Sequence, residues 1–351
     1  MTERPSRIVN YDALRDLIVQ LLRAAGCLDE AAKTAAGVLL EADLRGYGTH
    51  GLLRLPTMIR RMQSGMINPQ ASPHIVEESE ATAPMDADRA LGPVGVTSAA
   101  RLAIRKAKQA GSAAVGVINC DHICMAGYYV EQIARAGCVG ILAGVTQPLV
   151  HPLGGIERLL GTNPFAVAIP AGRDIPVLVD FGTSAIAFGT VLKSKANREP
   201  LPEGVAIGPD GRPTTDAKQA AQGALAPFGE HKGYGLGLIL GLLAGPLLGA
   251  KVGKTLGQAV KEGHYDKGEL VIAIDPAAFG DPALFRTTVE AHIAEIKAVK
   301  KAPGVEEIRV PGERSFEERE RRMRTGVPIE DGVWEQIGEL AQEFEISLPQ
   351  P

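Results

Sequence analysis

The chain has 351 residues, 45% of them hydrophobic and 22% charged, with a formal net charge of −4. That balance excludes a disordered chain and offers nothing to attract nucleic acid or an anionic membrane. Aromatic residues are only 4%, which leaves little surface for stacking bases, and the length suits roughly two domains at about 150 residues each.

From the N-terminus, residues 11–45 are expected to be helical with a break at Gly26. Tyr11, Leu14, Ile18, Leu21 and Leu22 recur at helical spacing, as do Ala31, Ala35, Val38, Leu39 and Ala42. Pro56 opens a further helix that ends near Gly65, and 67–73 is a loop. A helix over 97–110 closes at Gly111. Short apolar runs at 113–119, 139–145, 165–171 and 176–182 predict buried strands, with a helix over 125–137 between the first two. A loop-and-hairpin stretch follows at 201–216. Then come a glycine-striped helix within 233–250, a strand at 269–275, a helix near 281–300 and a strand at 307–310. Helices over 315–325 and 331–345 finish the chain. This order is that of a mixed α/β protein. The N-terminal helices are expected to return and pack with the C-terminal ones, while the middle forms its own unit.

Residues 233–250 carry no charge over 18 positions, close to the minimum of about 17 for a membrane span. Six of them are glycine, however, and Pro246 interrupts the run. Gly237, Gly241, Gly245 and Gly249 repeat every four residues, which makes a smooth strip on one helix face. The expected use is close packing inside a soluble core, against a neighbouring helix, a partner subunit or a flat ligand. The four cysteines, Cys27, Cys120, Cys124 and Cys138, form no CxxC pair, and charges scattered from Glu3 to Asp16 leave no secretory stretch. A reducing cytoplasm is the expected compartment.

The stretch "RGYGTHGLLRLP" at 45–56 holds Gly46-x-Gly48-x-x-Gly51, the letters of a dinucleotide-binding turn. Such a turn must follow a strand, and here a helix precedes it. His50 and Arg54 are four apart. If the chain is helical from Gly51, they share a face. Arginine offers a fork for a carboxylate and histidine a proton near neutrality; a helix cap beside a surface arginine is the alternative. His122 in "NCDHICMAGYY" follows a strand and precedes a helix, where α/β proteins present working side chains, and Asp121 sits beside it; Asp121 as a plain N-cap is the alternative. Cys120, His122 and Cys124 fit no common zinc spacing, so no metal is expected. The glycine- and proline-rich 151–164 could offer backbone N–H groups to an anion. "DFGTS" at 180–184 ends a strand with an acid and small residues. His231-Lys232 opens the glycine-striped helix, where a phosphate would be favoured.

Taken in order, "DLRGYGTHGLLRLP", "DHICMAGYY", "PLGGIERLLGTNPFAVAIPAG", "DFGTS", "PFGEHKGYGLGLILGLLAG", "IAIDPAAF" and "VPGER" resemble the malate/L-lactate dehydrogenase family of the non-Rossmann type. That family includes ureidoglycolate and sulfolactate dehydrogenases and piperideine-2-carboxylate/pyrroline-2-carboxylate reductases. The resemblance runs from about residue 6 to 345. It implies an NAD- or NADP-dependent oxidoreductase and a homodimer. It also implies a cofactor domain on a largely antiparallel sheet (116–294), packed with a mainly helical substrate and dimerisation domain built from 1–115 and 295–351. The family's substrate-lining pair and arginine fall on Thr49, His50 and Arg54, and its acid/base histidine on His122. Cofactor contacts fall on Thr146, on Asp180-Phe181-Gly182, on His231-Lys232 and on the Pro311-Gly312-Glu313 turn. Arg309 and Arg314 could meet a 2′-phosphate. The sequence departs from the family at Thr49 for serine, Asp121 for asparagine, Ile123-Cys124-Met125 for a smaller stretch, and His151 at a usually apolar position.

The expected reaction interconverts a small 2-oxo acid and 2-hydroxy acid. Arg54 would hold the carboxylate, His122 would exchange the proton, and Thr49 and His50 would orient the polar group. One alternative is reduction of a cyclic imino acid, whose protonated imine Asp121 would favour. Another is a non-catalytic nucleotide-binding protein that kept the fold.

Overall fold

The computed structural model describes residues 6–349. Eleven strands are β1 (Ser6–Val9), β2 (His74–Ile75), β3 (Thr82–Ala90), β4 (Ser112–Cys120), β5 (Val139–Gly144), β6 (Pro164–Ile169), β7 (Val177–Gly182), β8 (Ala206–Ile207), β9 (Ala224–Leu225), β10 (Gly268–Ile274) and β11 (Val327–Glu330). Among them run α1 (Tyr11–Ala24), α2 (Asp29–Leu44), α3 (Leu55–Gln63), α4 (Gly92–Ala110), α5 (Ala126–Arg135), α6 (Phe188–Asn197), α7 (Ala217–Gln222), α8 (His231–Ala244), α9 (Gly253–Lys261), α10 (Pro282–Ala298), α11 (Glu313–Thr325) and α12 (Asp331–Glu343).

One seven-stranded sheet forms the centre, in the order β2-β3-β4-β10-β5-β6-β7. Only β3 and β4 run parallel; every other neighbouring pair is antiparallel. This is a mixed α/β fold whose sheet is not doubly wound. The parallel pair matters for function, because both strands deliver their C-terminal ends to one edge, beside the start of α4. There Gly92 meets the backbone of His122 so closely that an added Cβ would lie 2.1 Å from the His122 carbonyl oxygen.

The two chain ends meet. Strands β1 and β11 pair antiparallel from Ser6 opposite Glu330 to Val9 opposite Val327. Arg319 reaches Glu41 at 2.6 Å, and Arg322 donates to the Asp43 carbonyl at 2.6 Å, so α11 is fastened to α2. Asn10 caps α1 by accepting from the amides of Asp12 and Ala13, and Leu14, Leu17, Ile18, Leu21 and Leu22 form its buried stripe. Buried Arg45 bonds Glu41 and Glu131 and stacks 4.4 Å from the Phe316 ring centre, joining α2, α5 and α11.

Several expectations change. Strands β1, β2, β3, β9 and β11 and helices α6, α7 and α9 were not anticipated, and β2 and β3 place part of the first 115 residues in the central sheet. No strand forms at 307–310; the segment is irregular and only Val310 is buried. Helix α8 ends at Ala244, so 233–250 is not one helix: a 3-10 turn follows at Pro246–Leu248, and Gly249 lies beyond the strip. Among the described residues no single helix is long and apolar enough to cross a membrane; only α8 and its turn taken with α9, bent by 69°, match by length and composition.

Candidate active site

Helix α2 leads into two 3-10 turns, Gly48–His50 and Leu52–Arg54. Their shape is set from below by Asp43, a buried carboxylate that accepts from the Leu52 amide at 2.7 Å. An added Cβ at Gly51 would lie 2.3 Å from that carboxyl group, so a side chain there would displace it. Burial pushes the Asp43 carboxyl up to about 7, against the opposing effects of the Leu52 amide and Arg322. The glycines of 46–51 therefore shape a loop rather than cradle a phosphate.

On this loop Thr49 Oγ1 and His50 Nδ1 are 2.9 Å apart, and Arg54 Nε donates to the Thr49 carbonyl at 2.7 Å. From the opposite side, the segment after β4 brings in His122. Its imidazole stacks on that of His50, with ring centres 5.8 Å apart and 28° between planes. The Cys124 amide donates to His122 Nδ1 at 3.1 Å, from a residue with φ of 61°. A neutral imidazole that accepts at Nδ1 carries its proton at Nε2. Burial, then Arg54, pushes His50 down to about 4. Burial also pushes His122 well below its ordinary value, reinforced by Arg54, His50, Lys267 and Arg61. Both rings are thus neutral near pH 7, and an arginine stands beside them to receive an anion.

Asp121, next to His122, is buried and ion-paired with Arg61 of α3, whose guanidinium lies 3.9 Å from the ring centre of Tyr265. Burial raises the Asp121 carboxyl, and Arg61 opposes the rise. Sequence reasoning passed over Asp43 and Arg61, and also the buried Lys267–Glu269 pair, whose charges act on Cys120 and Asp121. The partners lie nine residues apart in the first case and sixty in the second, so no local pattern marks them.

The expected cofactor residues fall into three groups. Thr146 and the end of β7 meet α8 through one network. The Thr162 amide donates to Thr146 Oγ1 at 2.8 Å, the Thr146 amide to Asn163 Oδ1 at 3.1 Å, and Asn163 Nδ2 to the Gly237 carbonyl at 2.7 Å. Phe181 is exposed and meets Phe165 and Phe228 edge-on, while Gly182 packs on Thr162. Asp180 points the other way: its carboxylate accepts from the Gly127 amide at 2.6 Å at the start of α5, and burial raises it to about 6. His231 and Lys232 form the exposed first turn of α8, and Lys232 has no ion-pair partner among the described residues. Glu313 is committed elsewhere. It binds Arg173 at 2.5 Å, Lys297 at 2.8 Å and the Val310 amide at 2.9 Å. Burial opposes these bonds, which nonetheless hold it at about 2. Pro311 accepts from the Leu178 amide, which docks the 311–313 turn on the sheet's edge strand. Arg309 is taken up by Glu307 and Glu317.

Comparison with known proteins gives a consistent result. The model of the malate/L-lactate dehydrogenase family matches residues 9–338. An L-sulfolactate dehydrogenase of Methanocaldococcus jannaschii is 39% identical over 335 residues, covering 95% of this chain and 96% of that protein. A delta(1)-pyrroline-2-carboxylate reductase of Ancylobacter novellus is 36% identical over 330 residues, covering 93% and 94%. The crystal structure of a malate dehydrogenase from Entamoeba histolytica superposes with a TM-score of 0.94 at 30% identity, over 99% of this chain and 100% of that one.

Proposed function

Because this chain belongs to the malate/L-lactate dehydrogenase family and is an oxidoreductase of 2-hydroxy and 2-oxo acids, we propose that Arg54, His50 and His122 form its active site. The observation that carries this reading is the stacked, neutral pair of imidazoles beside the Arg54 guanidinium. Arg54 pairs with the substrate carboxylate, with two parallel charge-assisted bonds where its fork is free. His122 directs Nε2–H at the C2 oxygen and stabilises the charge that develops there in reduction. A bound carboxylate offsets the Arg54 charge that depresses both rings. One ring of the pair can then bind a second proton from solvent, give it to the C2 oxygen in reduction and take it back in oxidation, with Thr49 Oγ1 holding His50 Nδ1.

A nicotinamide cofactor goes with this family, and when bound it supplies or accepts the hydride at C2. The residues present suit it. Lys232, without an ion-pair partner among the described residues, is a cation on the first turn of a fourteen-residue helix, which is chemistry for a pyrophosphate. Phe181 and Gly182 offer an exposed flat surface at the end of β7. Thr146 and the Pro311-Gly312-Glu313 turn would contribute backbone, since their side-chain acceptors are engaged within the fold. Asp180 would act indirectly, by holding the start of α5.

We assign residues 1–115 with 295–351 to the substrate side and 116–294 to the cofactor side, with β3 crossing between them. The four free, buried thiols support a reducing cytoplasm. The exposed apolar face of α8 supports a homodimer.

Reduction of a cyclic imino acid is the second reading, favoured by the buried Asp121 carboxylate, the chain neighbour of His122. A panel of 2-oxo acids and cyclic imino acids, each with NADH and NADPH, separates the two and fixes the cofactor. The expected result is higher kcat/KM on a 2-oxo acid. Turnover confined to cyclic imines would overturn it.

A further inference from the structure

Between α3, the ends of β3 and β4, and the segment before β10 lies a cavity of about 240 Å³. Asp121, the neighbour of His122, forms part of its wall. Arg61 forms another part, and it follows Arg54 by seven residues, an advance of about 10 Å along a helix. Asp121 is the chain neighbour of His122, and the Arg61 charge acts on the His122 ring, so this wall of the cavity adjoins the group assigned to C2.

The cavity's charge is one-sided. Asp86, Asp88, Asp121 and Asp266 stand against Arg61 and Arg89, with Asp266 paired to Lys251 at 2.5 Å outside the wall. Of the two arginines in the wall, Arg61 is already spent on Asp121. The nearby Lys267 is likewise bound to Glu269. A second anion entering here loses its water and meets carboxylates. To capture Arg61 it must strip Asp121 of its partner, leaving a buried carboxylate uncompensated.

On the reading that Arg54 and His122 fix the carboxylate and C2, we propose that this cavity takes the substrate's far end. There the Asp121–Arg61 pair selects against a second negative charge. The substrate is then a monocarboxylic 2-oxo or 2-hydroxy acid whose far end is uncharged or cationic, in preference to a dicarboxylic or sulfonic one. Asp121 is the specificity-determining residue.

The experiment compares kcat/KM for 2-oxobutyrate and oxaloacetate in the wild type, in Asp121→Asn and in the double variant Asp121→Asn/Arg61→Gln. The wild type is expected to favour the monoanion by at least about tenfold, the scale of one like charge in a shielded site. Asp121→Asn frees Arg61 and should shift the ratio toward oxaloacetate by at least about tenfold, and the double variant should lose that shift. A general loss of packing would lower both substrates together and leave the ratio alone. Wild-type preference for oxaloacetate, or a ratio unmoved by Asp121→Asn, overturns the proposal. If Asp121→Asn does not fold, the wild-type ratio decides by itself. Failure of every 2-oxo acid overturns the active-site reading and this proposal with it.

Discussion

The loop that carries His50 and Arg54 is built on the buried Asp43 carboxyl group. Because that carboxyl sits at about 7 in the fold against 3.8 unperturbed, it keeps its proton over a range where the unfolded chain has lost it. The folded state then binds more protons, so this residue's contribution to stability is fullest at acid pH. It declines as pH rises through that window, by at most about 1.4 kcal/mol per pH unit. His50, pushed down to about 4, works in the opposite sense at acid pH, so the wild-type profile alone mixes the two. Asp43→Asn separates them, because its amide oxygen still accepts from Leu52 but does not titrate. Denaturation at a series of pH values should show the wild type losing stability relative to Asp43→Asn between pH 3.8 and about 7. A constant difference would mean that Asp43 titrates as an ordinary exposed acid.

Helix α8 packs its glycine strip inward, as the four-residue spacing predicts. Its glycine face is buried and its leucine face is exposed. Gly237 packs on Thr183, Gly241 on Asn163 and Gly245 on Val252, whereas Leu238, Ile239, Leu242 and Leu243 stand at the surface. The strip lets Asn163 reach the helix backbone, and so ties α8 to the loop between β5 and β6. A Cβ on Gly241 would lie 3.0 Å from Asn163 Nδ2, the atom that bonds the Gly237 carbonyl, so a side chain there would push Asn163 off that bond. Gly241→Leu should therefore lower stability by about 1–3 kcal/mol, although leucine is the better helix former. On the opposite face, Leu242→Glu should leave the melting temperature of the folded chain intact but reduce the species in solution from twice the 36.9 kDa chain to the chain itself. A more stable Gly241→Leu would show that the strip is loosely packed. A wild type that sediments as a monomer would retire the dimer.

At the scale of the molecule, the sequence carries most of the fold, and where it fails the reasons are physical. Strands β4, β5, β6, β7 and β10 are short apolar runs bounded by turns, and they form close to where their letters put them. Strand β3 escaped because Pro84, Asp86, Asp88 and Arg89 are poor strand residues, and its buried alternation rests on the small Ala83 and Ala87 around Met85. Ile308 and Val310 alternate as a strand would, but no neighbour offers them a ladder. His50, Arg54 and His122 were legible because each sits at a glycine-rich or strand-ending junction. What holds them is tertiary: Asp43 under Leu52, the Cys124 amide on His122, and Arg61 on Asp121.

The proposed site is tested most directly by removing the imidazole assigned to C2. His122→Ala should lower kcat by about 10²–10⁴-fold with the best 2-oxo acid, with nicotinamide fluorescence reporting nearly unchanged cofactor binding. Turnover above roughly a tenth of the wild type, on that same scale, would contradict the assignment and leave His50 as the group that does the chemistry.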